Sequence, residues 1–182
     1  MSDADNPNAK LLLDYFRLRE ALTNEEFVAE HNYPVLVQER APEDERDGGY
    51  YSTIFLSKQL REGKIPEDMA RPERGGVLRV TKRDTNLFEG MINLGRANNN
   101  DIILDASGVS KFHAYISRDP NTEKYFITDA NSKNGTFLNR EPIRPYAPSA
   151  VKDDDRLCFA GQLEFTFYTP RRFYEMLGIL IA

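Results

Sequence analysis

Residues 95–139 read GRANNNDIILDASGVSKFHAYISRDPNTEKYFITDANSKNGTFLN. Three short signatures lie there in order: Gly95-Arg96, then Ser110-Lys111-Phe112-His113, then Asn134-Gly135-Thr136. Between them run short apolar segments that alternate with turn residues. Taken singly, an arginine is a surface group, a serine a turn or capping group, and Asn-Gly a hairpin turn with positive φ. Taken together, they place a guanidinium, a hydroxyl and an amide on successive loops between short strands.

The same strand grammar extends in both directions. From Gly76 onward the runs VLRVTK, MINLG, DIIL, HAYIS, KYFITD, TFL, RLCFA and LEFTFY alternate with turn signals. Short strands at this spacing predict an antiparallel sandwich. In LEFTFY, Leu163, Phe165 and Phe167 fall on one face and Glu164, Thr166 and Tyr168 on the other. Thr169-Pro170 then starts a helix with an apolar stripe of Phe173, Met176, Leu177 and Leu180. That stripe reads first as packing on the domain and second as a partner or homo-oligomer surface.

Upstream, the pattern is helical. Asn6-Pro7 reads as a cap followed by proline in the first turn. Leu11, Tyr15, Leu18 and Leu22 recur at helical spacing, flanked by Leu12 and Phe16. Thr23-Asn24-Glu25-Glu26 is a capping-box pattern, with Phe27, Val28 and His31 on one face of the helix it starts. Tyr33-Pro34 ends that helix. Val35-Leu36-Val37 is a short buried run of strand character. Residues 41–49 read as a charged loop, 50–60 as ambiguous between strand and helix, and 63–76 as a linker. The expected organisation is therefore a helical extension and linker over 1–75, a mainly β sandwich over 76–170, and a short C-terminal helix over 171–182.

Bulk properties narrow the function classes. The 182 residues carry a net charge of -5, which argues against a general nucleic-acid binder or a basic membrane-surface protein. Residues 1–75 hold 10 Lys+Arg and 16 Asp+Glu; the remainder hold 14 and 13, so the acidity belongs to the front of the chain. The single cysteine, Cys158, sets aside an intramolecular disulfide and a cysteine-based zinc site. It lies in the run Leu157-Cys158-Phe159 and reads as a small buried apolar residue. Acidic residues near the start and the absence of a long apolar run predict a cytoplasmic protein without a membrane anchor. The two histidines, His31 and His113, and Cys158 form no recognisable catalytic set, and no nucleotide-binding glycine loop occurs. Asp153-Asp154-Asp155 reads as a solvated loop triplet. No enzyme activity, cofactor or metal is expected.

At this point residues 76–170 are seen to resemble the forkhead-associated (FHA) family of β-sandwich domains. The resemblance rests on Gly95-Arg96, Asn100-Asp101-Ile102, Ser-x-x-His, Asn-Gly-Thr and the late Lys-Asp-Asp-Asp-Arg turn. It implies recognition of phosphothreonine peptides, with a Ser/Thr kinase upstream. Arg96 and Ser110 would touch the phosphate, assisted by the Lys111 N–H, and Asn134 would grip the peptide main chain. Lys133 stands where other members often place a hydroxyl, and could add a phosphate contact or select acidic peptides. Gly95, His113 and Gly135 would support the site. Gly108 stands where some members carry a basic residue. Phe112 is expected to pack inward, with an exposed aromatic that touches peptide as the alternative. The physical case agrees, because a phosphate brings about -1.5 to -2 charge and strong acceptor oxygens that need fixed donors. The alternative is an assembly protein whose helices make the contacts and whose phosphate site is unused.

Overall fold

Apolar residues that alternate along a strand bury one face; a strand apolar at every position must bury both. Both kinds occur here. They build a three-layer arrangement in the computed structural model, which describes residues 9–38 and 76–181.

The elements in chain order are strand β1 (Ala9–Leu11), helix α1 (Leu12–Ala21), helix α2 (Asn24–Glu30), and strands β2 (Val35–Gln38), β3 (Gly76–Arg79), β4 (Met91–Gly95), β5 (Ile102–Ile103) and β6 (Ala114–Arg118). There follow β7 (Tyr125–Asp129), β8 (Thr136–Leu138), β9 (Glu141–Pro142), β10 (Ser149–Val151), β11 (Arg156–Phe159), β12 (Leu163–Tyr168) and helix α3 (Pro170–Ile181). One sheet has seven strands in the order β1-β3-β2-β12-β11-β8-β9, and the other has five in the order β10-β7-β6-β4-β5. All pairings are antiparallel except β4 with β5.

Between the sheets lies one core, built from Leu36, Leu78, Leu94, Ile102, Ile116, Ile127, Leu157, Phe159, Phe165 and Phe167 among others. A second core lies on the outer face of the seven-stranded sheet. There Val35, Val37, Val77 and Tyr168 meet Leu12, Tyr15, Phe16 and Phe27 of the front helices and Phe173, Met176 and Leu177 of α3. This explains the unbroken Val35-Leu36-Val37 run: Leu36 faces the sandwich and its two neighbours face the helices. At about 1.5–3 kcal/mol per fully buried large apolar side chain, the helix layer is a main source of stability.

Most of the strands stand where the sequence placed them. The capping box also forms: Glu26 N–H donates to Thr23 Oγ1 and Thr23 N–H to Glu26 Oε2. Two local readings change. Ala9–Leu11 is a strand paired with β3, and α1 begins only at Leu12, because the edge of β3 offers those residues backbone partners. Cys158 is half-buried rather than buried, since it faces outward on β11, beyond the helix layer. The readings of Asn6-Pro7, residues 41–49 and 50–60, and most of 63–76 lie outside the described residues. The sandwich also takes β1 and β2 from before Gly76, with β2 hydrogen-bonded between β3 and β12.

The α3 stripe packs inward, with Phe173, Met176 and Leu177 buried and the Tyr174 hydroxyl donating to the Leu22 carbonyl. Among the described residues no helix is long and apolar enough to cross a membrane.

Candidate phosphate-binding loops

Three loops meet at one end of the sandwich: β4–β5 with Arg96, β5–β6 with Ser110, and β7–β8 with Asn134. Their contacts converge on residues 108–111. The Arg96 N–H donates to the Ser110 carbonyl at 2.9 Å, and Arg96 Nε to the Val109 carbonyl at 3.2 Å. From the other side, the Lys133 N–H donates to Ser110 Oγ at 3.0 Å and Asn134 Nδ2 to the Gly108 carbonyl at 2.8 Å. Arg96, Ser110, Lys133 and Asn134 are thus brought together, as their order in the sequence suggested.

The donors left over define the chemistry. Ser110 Oγ accepts from Lys133, so its own hydrogen is free to point outward. The Arg96 Nη groups, the Lys111 N–H and the ammonium groups of Lys111 and Lys133 have no hydrogen-bond acceptor among the described residues. Arg96, Lys111, Lys133 and Asn134 are exposed. Asn134 keeps one amide hydrogen and its oxygen available. An exposed cationic rim around a hydroxyl has the donor inventory that an anion requires.

The support beneath is rigid. His113 is fully buried. Its Nδ1 accepts the Ser110 N–H at 3.1 Å, which leaves the hydrogen on Nε2 to donate to the Gly135 carbonyl at 3.1 Å. One ring therefore ties the serine loop to the asparagine loop. Burial pushes the imidazole below its usual pKa, outweighing the Gly135 bond and the Asp129 charge, which act upward. Asp129 holds the third loop by accepting from Ser132 and Thr136. Burial raises its carboxyl, yet those bonds prevail and hold it below the ordinary carboxylate range.

Gly95 is required for close approach. A Cβ there would collide with the Lys111 carbonyl oxygen and lie 3.0 Å from Asn100 Nδ2. Asn100 bridges the same loops through the carbonyls of Ala97 and Lys111. Gly135 sits at φ 78°, in the left-handed region that its Asn-Gly context foretold.

Two features escaped the sequence. Phe112 does not pack inward: it is 45% exposed, because His113 takes the inward position beside it. Gln162, on the β11–β12 turn, lays its amide against Gly108, where a Cβ would lie 2.7–2.8 Å from it. The neighbouring Ala160 N–H donates to the Gly135 carbonyl, so this fourth turn belongs to the rim. Nothing in the local sequence ties Gln162 to Gly108.

Residues 92–160 match the FHA domain family model, and the chain carries an FHA domain. It is 39% identical over 97 residues to the oxoglutarate dehydrogenase inhibitor of Corynebacterium jeikeium, covering 48% of this chain and 66% of that one. It is 40% identical over 74 residues to the transcriptional regulatory protein EmbR of Mycobacterium tuberculosis, covering 41% of this chain and 18% of the relative. The similarity to FHA domain-containing protein PS1 of Arabidopsis thaliana is 30% over 116 residues, 64% of this chain but 7% of the relative. Among solved structures, Mycobacterium tuberculosis EmbR in complex with a low affinity phosphopeptide superposes with a TM-score of 0.39 at 34% identity, covering 44% of this chain and 20% of that chain. The chain therefore spans only a small part of several of these relatives.

Proposed function

We propose that the protein is a non-catalytic reader of phosphothreonine, acting as a phosphorylation-dependent adaptor downstream of a Ser/Thr kinase in the cytoplasm. The observation that carries this reading is the convergence of Arg96, Ser110, Lys133 and Asn134 on residues 108–111 with their outward donors unpaired. Arg96 and Ser110 take the phosphate, the Lys111 N–H and the two lysine ammoniums add donors, and Asn134 clamps the peptide main chain. Gly95, His113 and Gly135 hold the loops in register.

Each charge-assisted hydrogen bond contributes about 1.5–3 kcal/mol before costs. Three or four of them, less the ordering of the peptide, give a complex of about micromolar Kd. Removing the phosphate removes most of that, so the reader behaves as a switch. Among the described residues no group of three or more His, Cys, Asp or Glu side chains could hold a metal ion. Homo-association through the terminal helices is a weaker reading, since most of the α3 stripe is used within the chain; Ile179 remains exposed there.

The test is a phosphothreonine peptide library followed by calorimetric titration of selected peptides. Binding that needs the phosphate, and that Arg96→Glu abolishes while the thermal midpoint holds, supports the reading. Equal binding of phosphorylated and unmodified peptides sinks it.

A further inference from the structure

Residues 143–148, which join β9 to β10, form a loop outside the three sequence signatures. It grips both feet of the loop that carries Lys133 and Asn134. The Ile143 N–H donates to the Thr136 carbonyl at 3.0 Å, and the Tyr146 N–H to the Asp129 carbonyl at 2.8 Å. Asp129 is also the residue whose carboxylate holds Ser132 and Thr136. Backbone bonds therefore fix this loop to the rim. Because β10 borders β7 at the edge of its sheet, the loop stands on the Asn134 side, away from Arg96.

Its side chains are displayed at a cost. Tyr146 lies at φ 63°, in the left-handed region that bulky residues avoid. It is 69% exposed, and its ring and hydroxyl have no partner among the described residues. Glycine or asparagine would make the same turn without strain, so stability gives no reason for a tyrosine. Arg144 is exposed too, and its guanidinium has no ion pair or hydrogen bond among the described residues. Elsewhere Arg118, Arg156 and Arg172 each meet a carboxylate of the chain. Residues 130–135 and 143–148 include Lys133 and Arg144 and no Asp or Glu, in a chain of net charge -5. Charge on this side of the rim is of one sign, open and uncompensated, and its complement is an acidic segment.

We propose that Arg144 and Tyr146 read carboxylate side chains that flank the phosphothreonine of the partner. The Arg144 fork pairs with an Asp or Glu carboxylate, and the Tyr146 hydroxyl donates to the same acidic stretch. The proposal rests on the phosphothreonine reading and adds the class of partner: a phosphothreonine set in an acidic segment. The phosphate decides whether a partner binds, and the 143–148 loop decides which phosphorylated partner binds best.

The experiment uses the full chain and a phosphothreonine peptide library with about six random positions on each side, roughly 20 Å of extended chain either way. Asp and Glu should be enriched on one side of the phosphothreonine. The best acidic peptide should bind about fivefold more tightly than its Asn/Gln counterpart at low salt, an advantage that shrinks at high salt. Arg144→Glu should abolish that advantage, and Tyr146→Gly should reduce it by about half. Because glycine relieves the strain, Tyr146→Gly should do so with the thermal midpoint held or raised, which separates a lost contact from a damaged fold. No acidic enrichment, or an advantage that Arg144→Glu leaves intact, overturns the proposal. So does a Tyr146→Gly protein that melts lower and binds the acidic peptide as the parent does, because the tyrosine then serves the fold. A parent that binds no phosphothreonine peptide overturns the phosphate reading itself, an outcome distinct from these.

Discussion

The two ends of the sandwich carry similar polar residues and use them in opposite ways. At one end stand Arg96, Ser110, Lys133 and Asn134. At the other, the β8–β9 and β10–β11 turns carry Asn139, Asp153, Asp154 and Asp155, next to the start of α3. There every carboxylate is engaged within the chain. Asp153 accepts from the Thr169 N–H and hydroxyl. Asp154 takes a two-pronged bond from Arg172. Asp155, buried, accepts from Lys152 N–H and Asn139 Nδ2. Saturated polar groups hold a fold together. Unsaturated ones, fixed in place by backbone bonds, are free to bind. The acidic triplet, which from sequence alone reads as a solvated loop, is in fact a clamp between the sheet and α3.

The contrast can be broken by exchanging the phenotypes of the two ends. Arg96→Glu should weaken phosphothreonine-peptide binding by about a hundredfold or more, from loss of charge-assisted bonds and added repulsion, with little change in thermal midpoint; calorimetry and a thermal melt read both. Asp155→Ala should do the reverse. It strands Lys152 N–H and Asn139 Nδ2 and should cost about 2–3 kcal/mol of stability by denaturant titration, with peptide affinity intact. A binding defect there without loss of stability would erase the distinction.

Smaller effects sharpen it. Ser110→Ala should reduce affinity about tenfold, one hydrogen bond to a charged group. Arg140 lies at φ 73° in the β8–β9 turn. Arg140→Gly should relieve that strain and stabilise the protein by about 1 kcal/mol, seen as a raised thermal midpoint with unchanged affinity. His113 supplies the pH response. Its folded pKa lies below the ordinary 6.5, so the neutral ring contributes its full stabilisation above that pH. As pH falls below 6.5 the unfolded chain takes the proton first, and stability declines until the folded ring also protonates. A protonated Nδ1 would face the Ser110 N–H, donor against donor, so peptide affinity should fall with it. His113→Gln should flatten this part of the pH profile.

Much of this was legible in the sequence because periodicity and turn chemistry are local. The eight strand runs, the Thr23 capping box and the positive φ at Gly135 follow from a few neighbouring residues each. The alternation of LEFTFY was legible too, and Phe165 and Phe167 do face the sandwich core. The burial of Tyr168 on the other face was not, because it depends on a helix layer that draws α1 and α2 from the front of the chain as well as the adjoining α3. The place of Phe112 stayed open for a related reason: spacing cannot say which of two adjacent residues, Phe112 or His113, faces inward. The three signatures told which loops to watch. Their meeting at Gly108–Lys111, and the Gln162 amide against Gly108, are contacts between residues 13 to 54 positions apart along the chain, beyond the reach of local pattern.

The sharpest single measurement is a nuclear magnetic resonance titration of the labelled full chain with a phosphothreonine peptide selected from the library. Amide shifts should concentrate at Arg96, Ser110, Lys111, Lys133 and Asn134, absent with the unmodified peptide, while residues 152–156 stay unmoved. Shifts centred on the acidic turn, or the same shifts without the phosphate, would contradict the assignment of binding to the unsaturated end.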